Sequence, residues 1–159
     1  MRKKLPPRNP RAAYRRETIA TRRIGQGNKC ACGEDRPEAL IRGSNPRVCA
    51  KCDRRKMGRR KTDDHHIAGQ ANDPATISVP VNDHRAELSV AQQDWPPKTL
   101  QNPDGSPLLA AAARIRGFVD TSNYLMQHFL LQGAAVLELL DTNNKQESGQ
   151  KGRKNTKLK

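Results

Sequence analysis

Aromatic side chains are scarce in this chain of 159 residues: only Tyr14, Trp95, Phe118, Tyr124 and Phe129. Hydrophobic residues make up 34% and the mean hydropathy is −0.92. Burial returns roughly 25 cal/mol per Å² of apolar surface against the entropy of ordering the chain, so this little apolar material excludes a core spanning the full length. One compact domain, or a small domain with appendages, is what the length allows. Long hydrophobic runs are also missing. None approaches the roughly 18 residues of a membrane span. The basic opening MRKKLPPRNPRAAYRRETIATRR has no apolar stretch behind it that would make a secretory signal. A soluble, cytoplasmic protein is expected.

Acidic residues are outnumbered, 16 against 30 Lys and Arg, for a formal charge of +14. The imbalance is uneven: residues 1–29 carry a net +9, 30–61 a net +6, 62–144 a net −6 and 145–159 a net +5. Basic ends with few apolar residues cannot offset their ordering entropy by burial, so they are expected to be disordered in isolation and open to a polyanion. A third basic cluster, Arg54, Arg55, Lys56, Arg59, Arg60 and Lys61, lies between them. Nucleic acid is the expected partner, through phosphate neutralisation and counterion release. A solubilising or targeting tail is the plainer alternative.

Punctuation divides the chain further. A basic arm, 1–29, ends at Gly25 and Gly27, and residues 30–61 hold all four cysteines and the basic cluster. In 62–95, TDDHHIA and TISVPV read as two short strands and DHRAELSVAQQ as a helix, with Asp83 at its positive end. Residues 96–107 belong to WPPKTLQNPDGSP, whose four prolines predict an extended connector. Residues 108–141 are helical by composition, with Gly117 and the triplet Asp120, Thr121, Ser122 expected to split them into two helices. Leu125, Phe129, Val136 and Leu140 fall near helical spacing, as a core face or, alternatively, a dimer seam. A basic tail, 142–159, follows.

The cysteines carry the first specific chemistry. Cys30 and Cys32 are followed, after sixteen intervening residues, by Cys49 and Cys52. Two close pairs separated by a hairpin-length insert supply the four thiolates of a tetrahedral zinc site, two from each turn. Gly33 suits the tight turn after the first pair. Disulfides or plain reduced thiols are the alternative, and the lack of a secretory signal argues against the former. A structural zinc is expected, substituting for core that the chain cannot build.

The stretch DDHHIAGQANDPATISVPVNDHRAEL, from Asp63 to Leu88, resembles the HNH endonuclease family, as found in small phage and bacterial proteins. That family's ββα-metal finger carries a His-His or Asp-His pair on its first strand, an Asn in the loop and a His at the start of the helix. The resemblance implies an α+β fold in which a zinc knuckle leads into a ββα-metal finger followed by two helices. It implies that His66 is the general base, that His65 and His84 bind a divalent ion, magnesium or manganese, and that Asn72 is the motif Asn, with Asn82 the competitor. Double-stranded DNA is the implied substrate, and Arg85, beside His84, is a candidate phosphate contact. The chain departs from many relatives in having Pro80 and Asp83 where they place two cysteines, and Leu88 where a further His would stand.

The chemistry explains these residue types. Imidazole titrates near neutrality and can take a proton from water, and a divalent ion can stabilise charge on the phosphate and on the leaving oxygen. Adjacent strand residues alternate between faces, so His65 and His66 share one site only where the strand bends or twists. Asp63 and Asp64 can assist a metal or simply be solvated, and His128 is expected to be a surface or packing residue. Two rivals need no histidines: a non-catalytic zinc-ribbon nucleic-acid-binding protein, and a ribosome-associated structural protein.

Overall fold

The basic arm folds in part. In the computed structural model, which describes residues 10–142, Pro10–Ile24 forms helix α1. It stops at Gly25, whose φ of +91° suits a residue without Cβ and whose N–H donates to the Thr21 carbonyl at 2.7 Å. The expectation of a disordered arm through residue 29 is therefore corrected for 10–29, while residues 1–9 lie outside the described ones. Two features that net charge does not register anchor α1. Ile24 is buried with Cys30, Leu40 and Cys49, and Arg16 makes a two-pronged ion pair with Asp94, Nη2 donating to Oδ2 at 2.8 Å.

The chain then turns tightly through the first cysteine pair, passes a short 3-10 helix at Pro37–Ala39, and forms an antiparallel bridge between Leu40 and Cys49. Helix α2, Ala50–Lys56, follows directly. Strands β1, Thr62–His66, and β2, Thr76–Pro80, pair antiparallel, with His65 opposite Ile77 and Asp63 opposite Val79. β2 runs straight into a helical stretch made of α3, Val81–Asp83, a π-helical turn, His84–Leu88, and α4, Ser89–Gln93. Val79, Val81, Leu88 and His65 are buried there. The architecture is α+β.

Two elements differ from the sequence reading. The proline-rich connector contains helix α5, Pro97–Gln101. Pro96 and Pro97 stand at its N-cap and first turn, where a missing N–H costs nothing, and Asn102 closes it with φ +39°. Helix α6, Pro107–Leu125, runs without a break through Gly117 and Asp120–Ser122. Gly117 is a contact residue against Ile67, and Asp120 is no cap: it accepts a buried hydrogen bond from Trp95 Nε1 at 2.8 Å. Ala68, Trp95 and Ala113 form the small apolar cluster here, with Leu100 packed on it.

The chain divides into two compact units, Met1–Thr121 and Ser122–Lys159. In the second, a π-helical turn spans Met126–Leu130 and residues 131–142 are helical. Leu125, Phe129, Val136 and Leu140 are all exposed, so the expected core face is not buried. His128 stacks on Tyr124, ring centroids 4.3 Å apart. The basic tail lies outside the described residues from 143 onward. No described helix is long and apolar enough to cross a membrane.

Candidate functional site

The cysteines converge as their spacing predicts. The Sγ atoms of Cys30, Cys32, Cys49 and Cys52 all lie within 4.8 Å of one another, close to the about 3.8 Å edge of a tetrahedral zinc-thiolate site. Local backbone creates this. The Gly33 N–H donates to the Cys30 carbonyl and the Cys30 N–H to the Glu34 carbonyl, both at 2.8 Å, with Gly33 at φ +90°. Cys49 is the N-cap of α2, its sulfur accepting from the Cys52 N–H at 3.4 Å. Burial pushes the Cys30 thiol up, but backbone N–H groups of Cys32 and Cys49, with those residues' thiols, outweigh it and lower its pKa. Burial raises Cys52, and the neighbouring sulfurs raise it further. Burial also raises Cys32. Four sulfurs this close cannot all ionise without a cation, and the cluster can hold a structural ion such as zinc.

Arg36 fastens this knuckle to the helix after β2. Its guanidinium reaches Glu34 at 2.7 Å, Asp83 at 2.7 Å and also Glu87. Burial opposes the charge, but these carboxylates hold the Arg36 pKa above its ordinary value, and Arg36 correspondingly holds Glu34 below the usual carboxylate range against its burial. Asn82 adds a second fastening, accepting from the Lys51 N–H at 2.9 Å and donating to Glu34 at 3.0 Å. Asn82, the alternative motif Asn, thus joins the knuckle, α2 and the helix. Sequence reasoning passed over Arg36, and the run GEDRPE offers no periodic signal for a residue whose partners lie 47 and 51 positions away.

Of the histidines, the structure brings His65 and His84 together. His65 is 2% exposed on β1, and the His84 ring meets it edge-on with centroids 5.2 Å apart. Burial, then the charges of His84 and His66, push the His65 pKa down to about 4, so its imidazole is neutral at pH 7. Asp63, two residues earlier on the same strand face, accepts from His84 Nδ1 at 3.1 Å and pairs with Arg54 at 2.7 Å. Burial raises the Asp63 pKa, but Arg54 and His84 outweigh it and lower it. With Nδ1 bonded to a carboxylate, Nε2 is the His84 nitrogen left to meet a metal, the arrangement that orients metal-bound imidazoles. His66 ends β1 half-buried, and among the described residues its Nδ1 has no hydrogen-bond partner although it is out of solvent. Gln92, unremarked in the sequence, donates to the His66 carbonyl at 2.6 Å and lies 3.4 Å from His65 Nε2. Its position eight residues beyond His84, two helical turns on, is the signal that could have found it.

Asn72 lies apart from these rings. Its amide donates to the carbonyls of Ala68, Thr99 and Leu100 at 3.1, 3.0 and 3.3 Å, closing the loop after β1 and tying it to α5. A cleft of about 300 Å³ opens beside His84, lined by Arg54, Asp63, Arg85 and Ser89 among others. Arg85 makes no ion pair among the described residues, whereas two members of the basic cluster are committed internally. Arg54 holds Asp63, and Arg60 pairs with Asp64 at 2.8 Å and with Ser78 at 2.7 Å. Arg55, Lys56, Arg59 and Lys61 are exposed. No protein-family model, curated protein or solved structure matches this chain.

Proposed function

We propose that the protein is a metal-dependent HNH-type endonuclease that hydrolyses phosphodiester bonds of double-stranded DNA in the cytoplasm, with a structural zinc on its four cysteines. The observation that carries this reading is the edge-on contact of His65 with His84 while Asp63 holds His84 Nδ1, beside a cleft that includes Arg85. The donor chemistry fits a divalent ion: one neutral buried imidazole and one imidazole whose second nitrogen is already bonded, with water and phosphate left to fill the other positions. Such an ion, magnesium or manganese, would neutralise charge developing on the scissile phosphate.

The chain's own residues supply the rest. His66, at the end of β1, takes the proton of the attacking water. Gln92 fixes the end of β1 by binding the His66 carbonyl, and Asn72 holds the following loop in place. Arg85 receives a phosphate at the cleft, and the exposed Arg55, Lys56, Arg59 and Lys61 add sequence-independent affinity. One observation favours the rival zinc-ribbon binder: among the described residues, the four cysteines are the only group of three or more side chains placed to hold a metal. Incubating purified protein with supercoiled plasmid and magnesium, manganese or chelator, beside His66→Ala, separates the two. Metal-dependent relaxation or linearisation that disappears in the variant is expected, and binding without cleavage under every ion assigns the protein to the binder class.

A further inference from the structure

The second unit carries a surface that this chemistry does not use. Phe129, Leu130, Val136, Leu137 and Leu140 are 67%, 67%, 55%, 69% and 52% exposed. With Gly133 they fall at helical spacing on one face, and Leu125 and Met126 continue it across the π turn. His128 and Glu138 fall on the opposite side. An amphipathic helix whose apolar face meets only water is unstable by itself, since helices draw most of their stability from burying that face.

We propose that this face pairs antiparallel with the same face of a second copy of the chain, about a twofold axis passing at Gly133. The face is symmetric about that residue: Leu130 and Val136 stand three positions to either side, Phe129 and Leu137 four. A twofold interface needs this property, because residue i must meet j while j meets i. A Cβ at Gly133 would find nothing within 4 Å, so two backbones can cross closely there. The seven large apolar side chains of this face, from Leu125 to Leu140, are each at least 41% exposed, an area of the order of the roughly 800 Å² per partner in a standard stable interface, while Leu131 and Leu139 fall on the other side. Between Met126 and Leu140 the face carries no charged side chain, so contact there desolvates none, and Asp141 stands opposite Leu125 at its end. The pairing does not depend on the nuclease reading.

Sedimentation equilibrium of the full zinc-loaded chain at micromolar concentration tests this directly. The expected mass is twice the chain's 17.7 kDa, unchanged as salt is raised, because the contact is apolar. A monomer, or a dimer that salt dissociates, overturns the proposal. A Phe129→Glu, Leu137→Glu double variant should sediment as a monomer with wild-type zinc content and helicity, and persistence of its dimer places the contact elsewhere. Under mild oxidation Gly133→Cys should form a covalent dimer above the wild-type level while Leu140→Cys should not. Self-crosslinking at position 140 would mean parallel helices and overturn the twofold at Gly133.

Discussion

Gly117, in the middle of α6, lies against the backbone of Ile67, so close that a Cβ would come within 1.9 Å of the Ile67 carbonyl oxygen and 2.6 Å of its carbon. The obstacle is backbone, which cannot swing aside as a long side chain would. Gly117→Ala would ordinarily gain about 1 kcal/mol of helix propensity, but overpacking of this kind costs about 1–3 kcal/mol. A lower urea midpoint is expected, with amide shifts concentrated at 66–69. A variant as stable as wild type would show that α6 does not need this approach.

Zinc on the four cysteines, as proposed, would mean one metal per chain and a fold that depends on it. A Cys49→Ser, Cys52→Ser double variant removes two ligands and the sulfur that caps α2. Metal analysis should show close to one equivalent of zinc in wild type and little in the variant, with lost cooperativity of thermal unfolding. Substoichiometric zinc in well-folded wild type would refute the site.

Some of this was legible in the sequence and some was not, and the division follows distance along the chain. The cysteine cluster and the two strands are local patterns: pairs in tight turns, and two short stretches on either side of a loop that holds Gly69 and Pro74. Helix α5 is also local, and misreading it came from counting prolines without noting that Pro96 and Pro97 stand where a helix tolerates them. Gly117 and Asp120 read as helix breakers because their partners, Ile67 and Trp95, are remote. The same holds for α1, whose Arg16 partner lies 78 positions away. His65 and His84 were nominated by resemblance to a family motif, while Arg36 and Gln92, which position the surrounding elements, carry no motif at all.

Arg36 supplies a third prediction. Its side chain is 14% exposed and meets three carboxylates, so Arg36→Ala would remove the guanidinium that Glu34, Asp83 and Glu87 share. Breaking a largely buried ion pair from one side costs about 3–5 kcal/mol, and partial exposure of Glu87 places the expected loss at the low end. Arg36→Lys should recover only part of it, because one ammonium cannot reproduce a fork reaching three acids. Full recovery by Lys in urea titrations would reduce the cluster to simple charge balance.

Acid should weaken the fold through His65. Its pKa is about 4 in the folded protein against about 6.5 unfolded, so folding favours the neutral ring. That contribution is fully present above pH 6.5 and is lost as pH falls toward 4, reaching on the order of 3 kcal/mol. The cysteines also take up protons in acid, so the comparison with His65→Leu, without added divalent ion, isolates the effect. Wild type should lose stability more steeply than the variant over this range. Parallel pH profiles would mean that the ring is not held neutral by the fold.

The histidines should fail in different ways if the proposed chemistry is right. His66→Ala removes proton abstraction and leaves His65, His84 and Arg85 in place, and loss of a general base typically costs about 10²- to 10⁴-fold in rate. DNA affinity should persist, because the exposed basic residues supply it. His84→Ala removes an ion ligand and leaves Asp63 to Arg54, so activity should require far more divalent ion and recover in part with excess manganese. Asp63→Asn separates orientation from ligation: it leaves both imidazoles but loses the carboxylate that holds His84 Nδ1, and loss of such a partner typically costs about 10- to 100-fold in metal affinity or activity. Metal titration of plasmid cleavage therefore ranks the variants, with manganese rescue for His84→Ala and Asp63→Asn and none for His66→Ala. Wild-type cleavage by His66→Ala, or its rescue by manganese, would remove the general-base assignment.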